Sequence, residues 1–554
     1  MLNVLVVSGG SFQGSTVIKG LSQSKEIRIT LVDCYGENIN KYNVESFYRI
    51  PPIKEEGNFI ESLSDVVKLE GIQVIFPSTD HELDTLSKYK DFLERDGSRV
   101  AISDYPLLSK LRNKRKADYF LAQHNFPVLR AVDIERDTID LPLIGKPVYG
   151  FGSKNQIVLR ERKQLQGHKI SELKEKYFWQ PYISHFVEYS IDFAIGFNME
   201  VSPPIARRRI RSAGGFAVIT QSEHDEIILA GVLRLAHLLS KEGGEGIFNV
   251  QVLRVSPSDF YYTDINPRVG TSSIFTLGLG INLPLFMCRY FNPEIFTIPY
   301  SDISHISVKM IRNLDERWIK PCEAGAVKGI VFDLDDTLIN QKGWMFEKLE
   351  LVWEMYKHQL PDKEAFLIAA YGFLEEGKRS ILIDELISFF RLPVNLRDTL
   401  IQAYRTAEPE SISVYRDVKP SLRELREMGF RLAVLTDNPV VSQQQKLNKL
   451  DFLDIFDAIV FSRARNREKP DSEIFNEVAQ ELDVPNHQLV MVGDNLYRDT
   501  YGCLSAGYSF AFHIAREGTF YNFDFNKFLE ITKLPPEKIA VIKSLKELVY
   551  SLVM

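Results

Sequence analysis

Four short apolar runs in the second half of the chain each lead into a charged or hydroxyl-bearing residue, and this recurrence restricts the fold more than any other feature. Gly329-Ile330-Val331-Phe332 runs into Asp333-Leu334-Asp335-Asp336-Thr337-Leu338, and Leu432 to Leu435 runs into Thr436. Ala458 to Phe461 is followed by Lys469-Pro470, and Leu489 to Val492 ends in Gly493-Asp494, with Asp499 shortly after. Runs of this length and composition, separated by helical patterns, read as buried strands of a parallel sheet with crossover helices. Alternation along the first strand sets Asp333 and Asp335 on one side of the chain, at the carboxyl edge where open α/β sheets bind ligands. Gly343 to about Arg405 carries only helical periodicity, so a helical insert, about 341–415, interrupts this domain early.

The first hundred residues repeat the βα alternation, with strands expected at Asn3 to Val7, Arg28 to Val32, Gln73 to Phe76 and Arg99 to Ile102. A charged amphipathic helix is expected from Leu107 to His124. A mostly β region then runs to about Arg268, with strands at Phe178 to Ile183, Glu188 to Ile195 and Phe248 to Val252. Periodicity weakens between Pro299 and Lys328, which places a junction near residue 320. At roughly 100–200 residues per domain, 554 residues make three or four folding units. The reading is an α/β and α+β multidomain chain: an α/β domain over 1–105, an α+β domain over 106–312, a linker over 313–327 and a doubly wound domain over 328–554.

Net charge is −7, which gives no broad footprint for nucleic acid. The four cysteines, Cys34, Cys288, Cys322 and Cys503, are scattered without a CxxC or ligand-like histidine spacing, so neither a disulfide framework nor a zinc site is expected, and a reducing cytoplasm fits. The N-terminus lacks a signal-peptide pattern, and no apolar run approaches the roughly 20 residues of a membrane helix.

Carboxylates, a hydroxyl and a lysine converging on one sheet rim suit phosphoryl transfer: a hard cation takes oxygen ligands, a phosphoryl group takes donors, and a carboxylate can attack phosphorus. The four segments, in order and spacing, resemble the haloacid dehalogenase superfamily over about 326–554. That resemblance implies Asp333 as nucleophile, Asp335 as general acid/base, and Thr436 and Lys469 as phosphoryl-holding groups. It implies a Mg2+ site, open also to Mn2+, among Asp333, Asp335, Asp494 and Asp499. An acid at the second aspartate position marks phosphatases and phosphotransferases within the superfamily, since the leaving oxygen must be protonated. The insert resembles the cap that closes over small substrates.

In the N-terminal half, Gly9-Gly10-Ser11-Phe12-Gln13-Gly14 with Asp33 invites a dinucleotide reading, but Ser11 falls where a middle glycine must let a pyrophosphate approach. Further on come Lys146, the small-residue loop Gly150-Phe151-Gly152-Ser153-Lys154, Gln251, and Asp264-Ile265-Asn266-Pro267-Arg268. A loop of this kind can cover a polyphosphate with backbone amides, oxygen ligands suit Mg2+, and a guanidinium neutralises a transferred phosphoryl group. In that order, with Glu188 between, the elements resemble the ATP-grasp superfamily, particularly the carbamoyl-phosphate-synthase-like carboxylate–amine ligases, over about 1–310.

The resemblance implies that Lys114, Lys146, Gly152 and Ser153 meet the ATP phosphates and that Gln180, Tyr182 and Ile183 line the adenine slot. It further implies ribose at Glu188, metal at Gln251, Asp264 and Asn266, and Arg268 on the phosphoryl and tetrahedral species. Pro181 after Gln180, where the family has glutamate, and the short Asp264 depart from its pattern. Arg207-Arg208-Arg209 with Arg211 reads either as a solvated strand face or as a clamp for a substrate carboxylate or phosphate.

Together the two resemblances imply a bifunctional enzyme. One half would join a small carboxylate to an amine, amino acids being candidates for both, through an acyl-phosphate; the other would hydrolyse a small phosphate ester of the same route. No nucleic acid or membrane partner is expected, and a homodimer is compatible. The alternatives are a ligase with a regulatory or inactive C-terminal domain, and a phosphatase with a nucleotide-sensing N-terminal half.

Overall fold

The computed structural model describes residues 1–135, 139–150, 155–165, 170–213, 216–296, 306–313, 327–520 and 524–553. The chain forms two compact units, Met1–Glu316 and Arg317–Met554.

The first unit opens with strands β1 (Leu2–Val7), β2 (Ile27–Asp33), β3 (Ser46–Arg49), β4 (Val74–Phe76) and β5 (Arg99–Val100), all parallel in the order β3-β2-β1-β4-β5. The sequence LNVLVV of β1 is apolar on both faces because both are covered: Leu5 and Val7 pack with Phe59, Ile60 and Leu63, while Val4 and Val6 pack with Val17 and Leu21. Gly9-Gly10-Ser11 turns the chain from β1 into the helix Phe12–Leu21. Ser11 caps that helix by accepting from Gly14 N at 2.9 Å. A Cβ on Gly14 would lie 2.5 Å from the Gly9 backbone, so only glycine permits this helix to sit so close to the turn. Asp33 accepts from Gly10 N and Tyr35 N, both at 2.9 Å, and thereby closes the turn.

The single helix expected over 107–124 is two, Tyr105–Arg112 and Lys114–Gln123. Asn113 breaks it: its backbone is extended and its side chain accepts from Arg115 N and Lys116 N, both at 3.1 Å. Apolar periodicity continues across the break, which is why the pattern reads as one element. The break places Lys114 at the start of a helix.

Strands β6 (Leu143–Pro147), β7 (Ile157–Leu159) and β8 (Tyr177–Pro181) form a small antiparallel sheet in the order β7-β6-β8. A larger antiparallel sheet comprises β9 (Val187–Ile195), β10 (Ile205–Ala213), β11 (Phe216–Ser222), β12 (Gly246–Arg254), β13 (Phe260–Asn266) and β14 (Lys309–Ile311), in the order β13-β12-β9-β10-β11-β14. Its apolar face is covered by the helix Glu226–Lys241, whose Ile228, Val232, Leu235 and Leu239 meet Ile191, Phe193, Phe248 and Val250. Each such side chain contributes roughly 1.5–3 kcal/mol by burial. The opposite face carries polar residues, and the register Gln251↔Asp264 and Asn249↔Asn266 sets amide and carboxylate side by side.

The second unit holds β15 (Gly329–Phe332), β16 (Arg431–Thr436), β17 (Ala458–Phe461), β18 (Leu489–Gly493), β19 (Phe510–Ile514) and β20 (Ile539–Ile542), parallel in the order β17-β16-β15-β18-β19-β20. Strand order reverses at β15, and crossovers leave to opposite sides there, opening a crevice at the carboxyl ends. The insert between β15 and β16 contains helices Gln341–Tyr356, Lys363–Glu375, Leu382–Phe389 and Leu396–Thr406, with their own core around Leu349, Phe366, Leu386 and Leu400. Among the described residues, no helix is long and apolar enough to cross a membrane.

Candidate active sites

In the second unit, Asp333 leaves β15 with its amide on Val492 O at 2.9 Å, Asp494 follows β18, and Asp499 lies in the turn beyond. One oxygen from each of Asp333, Asp494 and Asp499 lies within 4.8 Å of the others, and all three residues are buried. Lys469 bridges two of them: its Nζ donates to Asp333 Oδ1 and to Asp499 Oδ1, both at 2.6 Å, and to Leu435 O at 3.2 Å. Asp437 fixes the loop that delivers this lysine by accepting from Lys469 N at 3.0 Å and Ser462 Oγ at 2.7 Å.

Burial works against the ammonium of Lys469, yet Asp333 and Asp499 outweigh it and hold its pKa well above the ordinary value. Burial, together with Asp333 and Asp499, pushes Asp494 well up, and burial raises Asp499. Three buried carboxylates facing one ammonium leave surplus negative charge in a hard-oxygen set, which is what Mg2+ fits.

Asp335 departs from the expected metal set. Lys446 Nζ donates to its Oδ1, while Gln443 Nε2 at 2.7 Å and Asn438 Nδ2 at 2.5 Å donate to Oδ2. Burial alone would raise its pKa, but Lys446, Gln443 and Asn438 lower it. Both oxygens being occupied by donors, the carboxylate stands apart from the aspartate triad. Gln443 Nε2 also donates to Thr436 Oγ1 at 2.5 Å, tying the threonine to the second aspartate. Lys446, Gln443 and Asn438 are absent from the sequence expectations. Gln443 and Lys446 are three apart on the helix Val440–Leu447, a spacing that puts both on the face turned to the crevice. A free volume of about 40 Å3 lies over this floor, bounded on the insert side by Gln341 and Arg379.

In the first unit, a cavity of about 640 Å3 gathers Lys114, Lys146, Gln251, Asp264, Asn266 and Arg268. Lys114 Nζ donates to Asp264 Oδ1 at 2.8 Å. Lys146 on β6 is 9% exposed and donates to Gln180 Oε1 at 3.2 Å. Burial lowers its pKa, with Asp264 opposing and Lys114 adding to the fall. Gln180 donates in turn to Asp118 Oδ1 at 3.0 Å and Leu129 O at 3.1 Å. Burial pushes Asp118 up to about 6 against the pull of Lys146 and Gln180. Arg268 donates through Nε to Asp80 Oδ2 at 2.6 Å, and through Nη1 to Val269 O at 2.9 Å.

The arginine cluster splits, by alternation between Arg207, Arg208 and Arg209 and by a register irregularity in the β10–β11 pairing at Arg211. Arg207 and Arg209 line the cavity, while Arg208 and Arg211 are exposed. Arg207 pairs with the fully buried Asp192, which also accepts from Asn249 Nδ2 at 2.7 Å and Ser273 Oγ at 2.6 Å. Arg209 Nη1 donates to Glu188 Oε1 at 2.5 Å, so the carboxylate expected on ribose is held by a neighbouring strand.

Neither Glu188 nor Gln180, Tyr182 and Ile183 line this cavity. Gln180 is taken up by Lys146 and Asp118, and Tyr182 carries the Arg160 guanidinium over its ring at 5.6 Å. Gly152 and Ser153 fall outside the described residues. A cavity of this size with two lysines and an arginine facing a carboxylate and two amides fits a Mg2+–nucleotide: a buried lysine whose donated bond goes to a neutral amide is left with charge for an anion.

The parallel sheet with its reversal at β15, the aspartate at that strand's end and the lysine–carboxylate floor define a phosphoryl-handling hydrolase of the haloacid dehalogenase type. Residues 330–513 match the family profile described as haloacid dehalogenase-like hydrolase, and the chain belongs to that family. Residues 4–101 match the profile described as PylC-like, N-terminal domain, so the chain is an enzyme that joins a segment similar to that domain to a hydrolase.

A glyceraldehyde 3-phosphate phosphatase of Methanopyrus kandleri is 38% identical over 191 residues, covering 33% of this chain and 81% of that protein. A ribulose-1,5-bisphosphate 5-phosphatase of Halopiger xanaduensis is 30% identical over 201 residues, covering 32% and 81%. Among solved structures, a biotin carboxylase complex from Campylobacter jejuni aligns over 55% of this chain and 73% of that one, at 14% identity and a TM-score of 0.46.

Proposed function

We propose that the chain is bifunctional, an ATP-dependent carboxylate–amine ligase over 1–312 and a Mg2+-dependent phosphatase over 328–554. The observation that carries the second half is the double contact of Lys469 with Asp333 and Asp499 beside Asp494. The one that carries the first half is the meeting of Lys114, Lys146, Asp264, Asn266 and Arg268 in one cavity.

In the phosphatase, Asp333 Oδ attacks phosphorus and the ester P–O bond breaks. The leaving oxygen takes a proton from Asp335, giving the alcohol and an aspartyl-phosphate. Asp335 then removes a proton from water, the water oxygen attacks phosphorus, the bond to Asp333 breaks, and inorganic phosphate leaves. With three donors on its carboxylate, Asp335 stands in the base form that the second step uses, and it enters the first step after taking up a proton. Lys469 and Thr436 hold the phosphoryl oxygens. Asp333, Asp494 and Asp499 would hold Mg2+, which offsets negative charge on the transferring group. The relatives' substrates point to a small sugar-sized phosphate monoester.

In the ligase, a carboxylate oxygen attacks the γ-phosphorus of ATP, giving an acyl-phosphate and ADP. An amine then attacks the acyl carbon, giving the amide and phosphate. Lys114 and Lys146 would contact the nucleotide phosphates, Gln251, Asp264 and Asn266 would hold Mg2+, and Arg268 would stabilise the charge that develops on the transferred group.

Two assays on one preparation test this: ADP release across a panel of amino acids, and Mg2+-dependent hydrolysis of phosphate monoesters. Asp333→Asn should abolish hydrolysis and spare ADP release, and Arg268→Ala should do the reverse, each by on the order of 10²-fold or more. Loss of both activities in either folded variant would contradict two independent sites.

A further inference from the structure

The floor of the hydrolase crevice is matched to a phosphoryl group, with Lys469 and Thr436 as donors and the aspartates as cation ligands. One more cation borders the same volume from the insert side. Arg379 precedes the helix Leu382–Phe389 and is half-buried, and its Nη1 donates to Gln341 Oε1 at 3.2 Å. Its guanidinium lies over the Phe520 ring at 5.3 Å. Neither partner carries a charge, and among the described residues Arg379 pairs with no carboxylate.

Its neighbours on the insert differ. Lys378 pairs with Glu376 and Glu385, both at 3.0 Å, and Lys342 pairs with Glu375 at 2.6 Å. Across the volume, Arg498 is held by Asp437 at 3.2 Å. Arg379 is thus a planar double donor, braced by an amide and an aromatic face, with its charge left for something that enters the crevice.

We propose that Arg379 is a specificity-determining residue, and that the substrate is a phosphate monoester whose leaving group bears a second anionic group, a carboxylate or another phosphate. This rests on the phosphatase reading above and narrows its substrate class. The geometry separates the two anions. The transferred phosphoryl group sits on Asp333 at the sheet edge. The second anion meets the insert, where a guanidinium matches carboxylate and phosphate oxygens alike in bidentate fashion. Gln341 fixes the orientation of that fork, and its own amide hydrogens stay available to the same ligand.

The test uses the purified full chain with Mg2+ and two matched ester pairs, glycerol 3-phosphate against 3-phosphoglycerate, and fructose 6-phosphate against fructose 1,6-bisphosphate. The readout is the ratio of kcat/KM within each pair. The wild type should favour the anion-bearing ester of at least one pair by roughly 10–100-fold, the value of one charge-assisted contact; the pair that shows it identifies carboxylate or phosphate. Arg379→Gln should bring that ratio close to one, and Arg379→Lys should leave it between. A ratio is independent of the folded fraction, so a partly unfolded variant still reports. A wild-type ratio near one, an unchanged ratio in Arg379→Gln, or proportionate loss of both esters in both variants overturns the proposal while the phosphatase reading stands. A wild type that hydrolyses none of the four esters overturns the phosphatase reading and the proposal with it.

Discussion

Replacing Gly493 by alanine perturbs the aspartate cluster without removing any of its chemical groups. Gly493 ends β18, and a Cβ there would lie 2.2 Å from Asp499 Oδ2 and 2.3 Å from its Cγ. Non-bonded atoms settle at roughly 3.5–4 Å, so the Asp499 carboxylate must retreat by about 1 Å or more. It has little room to do so, being 1% exposed and held by Lys469 at 2.6 Å and by the Asn495 amide at 3.0 Å.

Overpacking of this kind costs about 1–3 kcal/mol, or roughly 2–12 °C in the melting temperature of a unit this size. Because Lys469 bridges Asp499 to Asp333, the shift reaches Asp333, and a misplacement of about 1 Å in the proposed nucleophile costs on the order of 10²-fold in rate. Mg2+ affinity, measured by calorimetry on the folded protein, should weaken alongside, while ADP release by the other half is unaffected. If Gly493→Ala keeps its Mg2+ affinity and ester hydrolysis within twofold of wild type, Asp499 does not belong to the metal and phosphoryl site.

Two further expectations concern the second unit. Lys446→Met removes the ammonium on Asp335 Oδ1; hydrolysis of alkyl esters, which need a proton on the leaving oxygen, should fall by about 10-fold or more relative to p-nitrophenyl phosphate, which does not. An equal fall for both ester types would show that Lys446 serves the fold and not the proton donor. Lys348, on the helix Gln341–Tyr356, is held down to about 8 by burial and by Lys446. Between pH 8 and the ordinary lysine value the unfolded chain keeps a proton that the folded one has lost, so this group makes stability rise with pH across that window. Lys348→Met should therefore be more stable than wild type at pH 7, with a shallower rise between pH 8 and 10 in denaturant titrations; an unchanged slope counts against the buried charge.

The parallel strands and their terminal residues were legible in the sequence because each depends on a local pattern, a short β-branched run and the polar residue that ends it. Asp333, Lys469, Asp494 and Asp499 meet because three such ends, those of β15, β17 and β18, share one sheet edge. Gln443 and Lys446 escaped notice because Val440-Val441-Ser442-Gln443-Gln444-Gln445-Lys446 looks like any solvated helix; only the packing of that helix turns two of its polar residues inward. Among the antiparallel strands, alternation predicts which residues share a face but not what their side chains find there. Gln180 and Glu188 meet Lys146 and Arg209 across the sheets, contacts set by strand order that no spacing along the chain encodes. The break at Asn113 was hidden for a different reason: capping by one side chain outweighs an uninterrupted apolar period.

Both parallel sheets are wired alike about their opening strand. β1 lies between β2 and β4, as β15 lies between β16 and β18, so in each unit the first exit loop faces a seam where the covering helices part. In one unit that loop is Gly10-Ser11, two small residues bordering a roomy cavity; in the other it is Asp333, which presents a carboxylate to a tight one. A scaffold organised this way can exchange one chemistry for another by rewriting a few residues past a single strand, leaving the sheet and its buried faces unaltered.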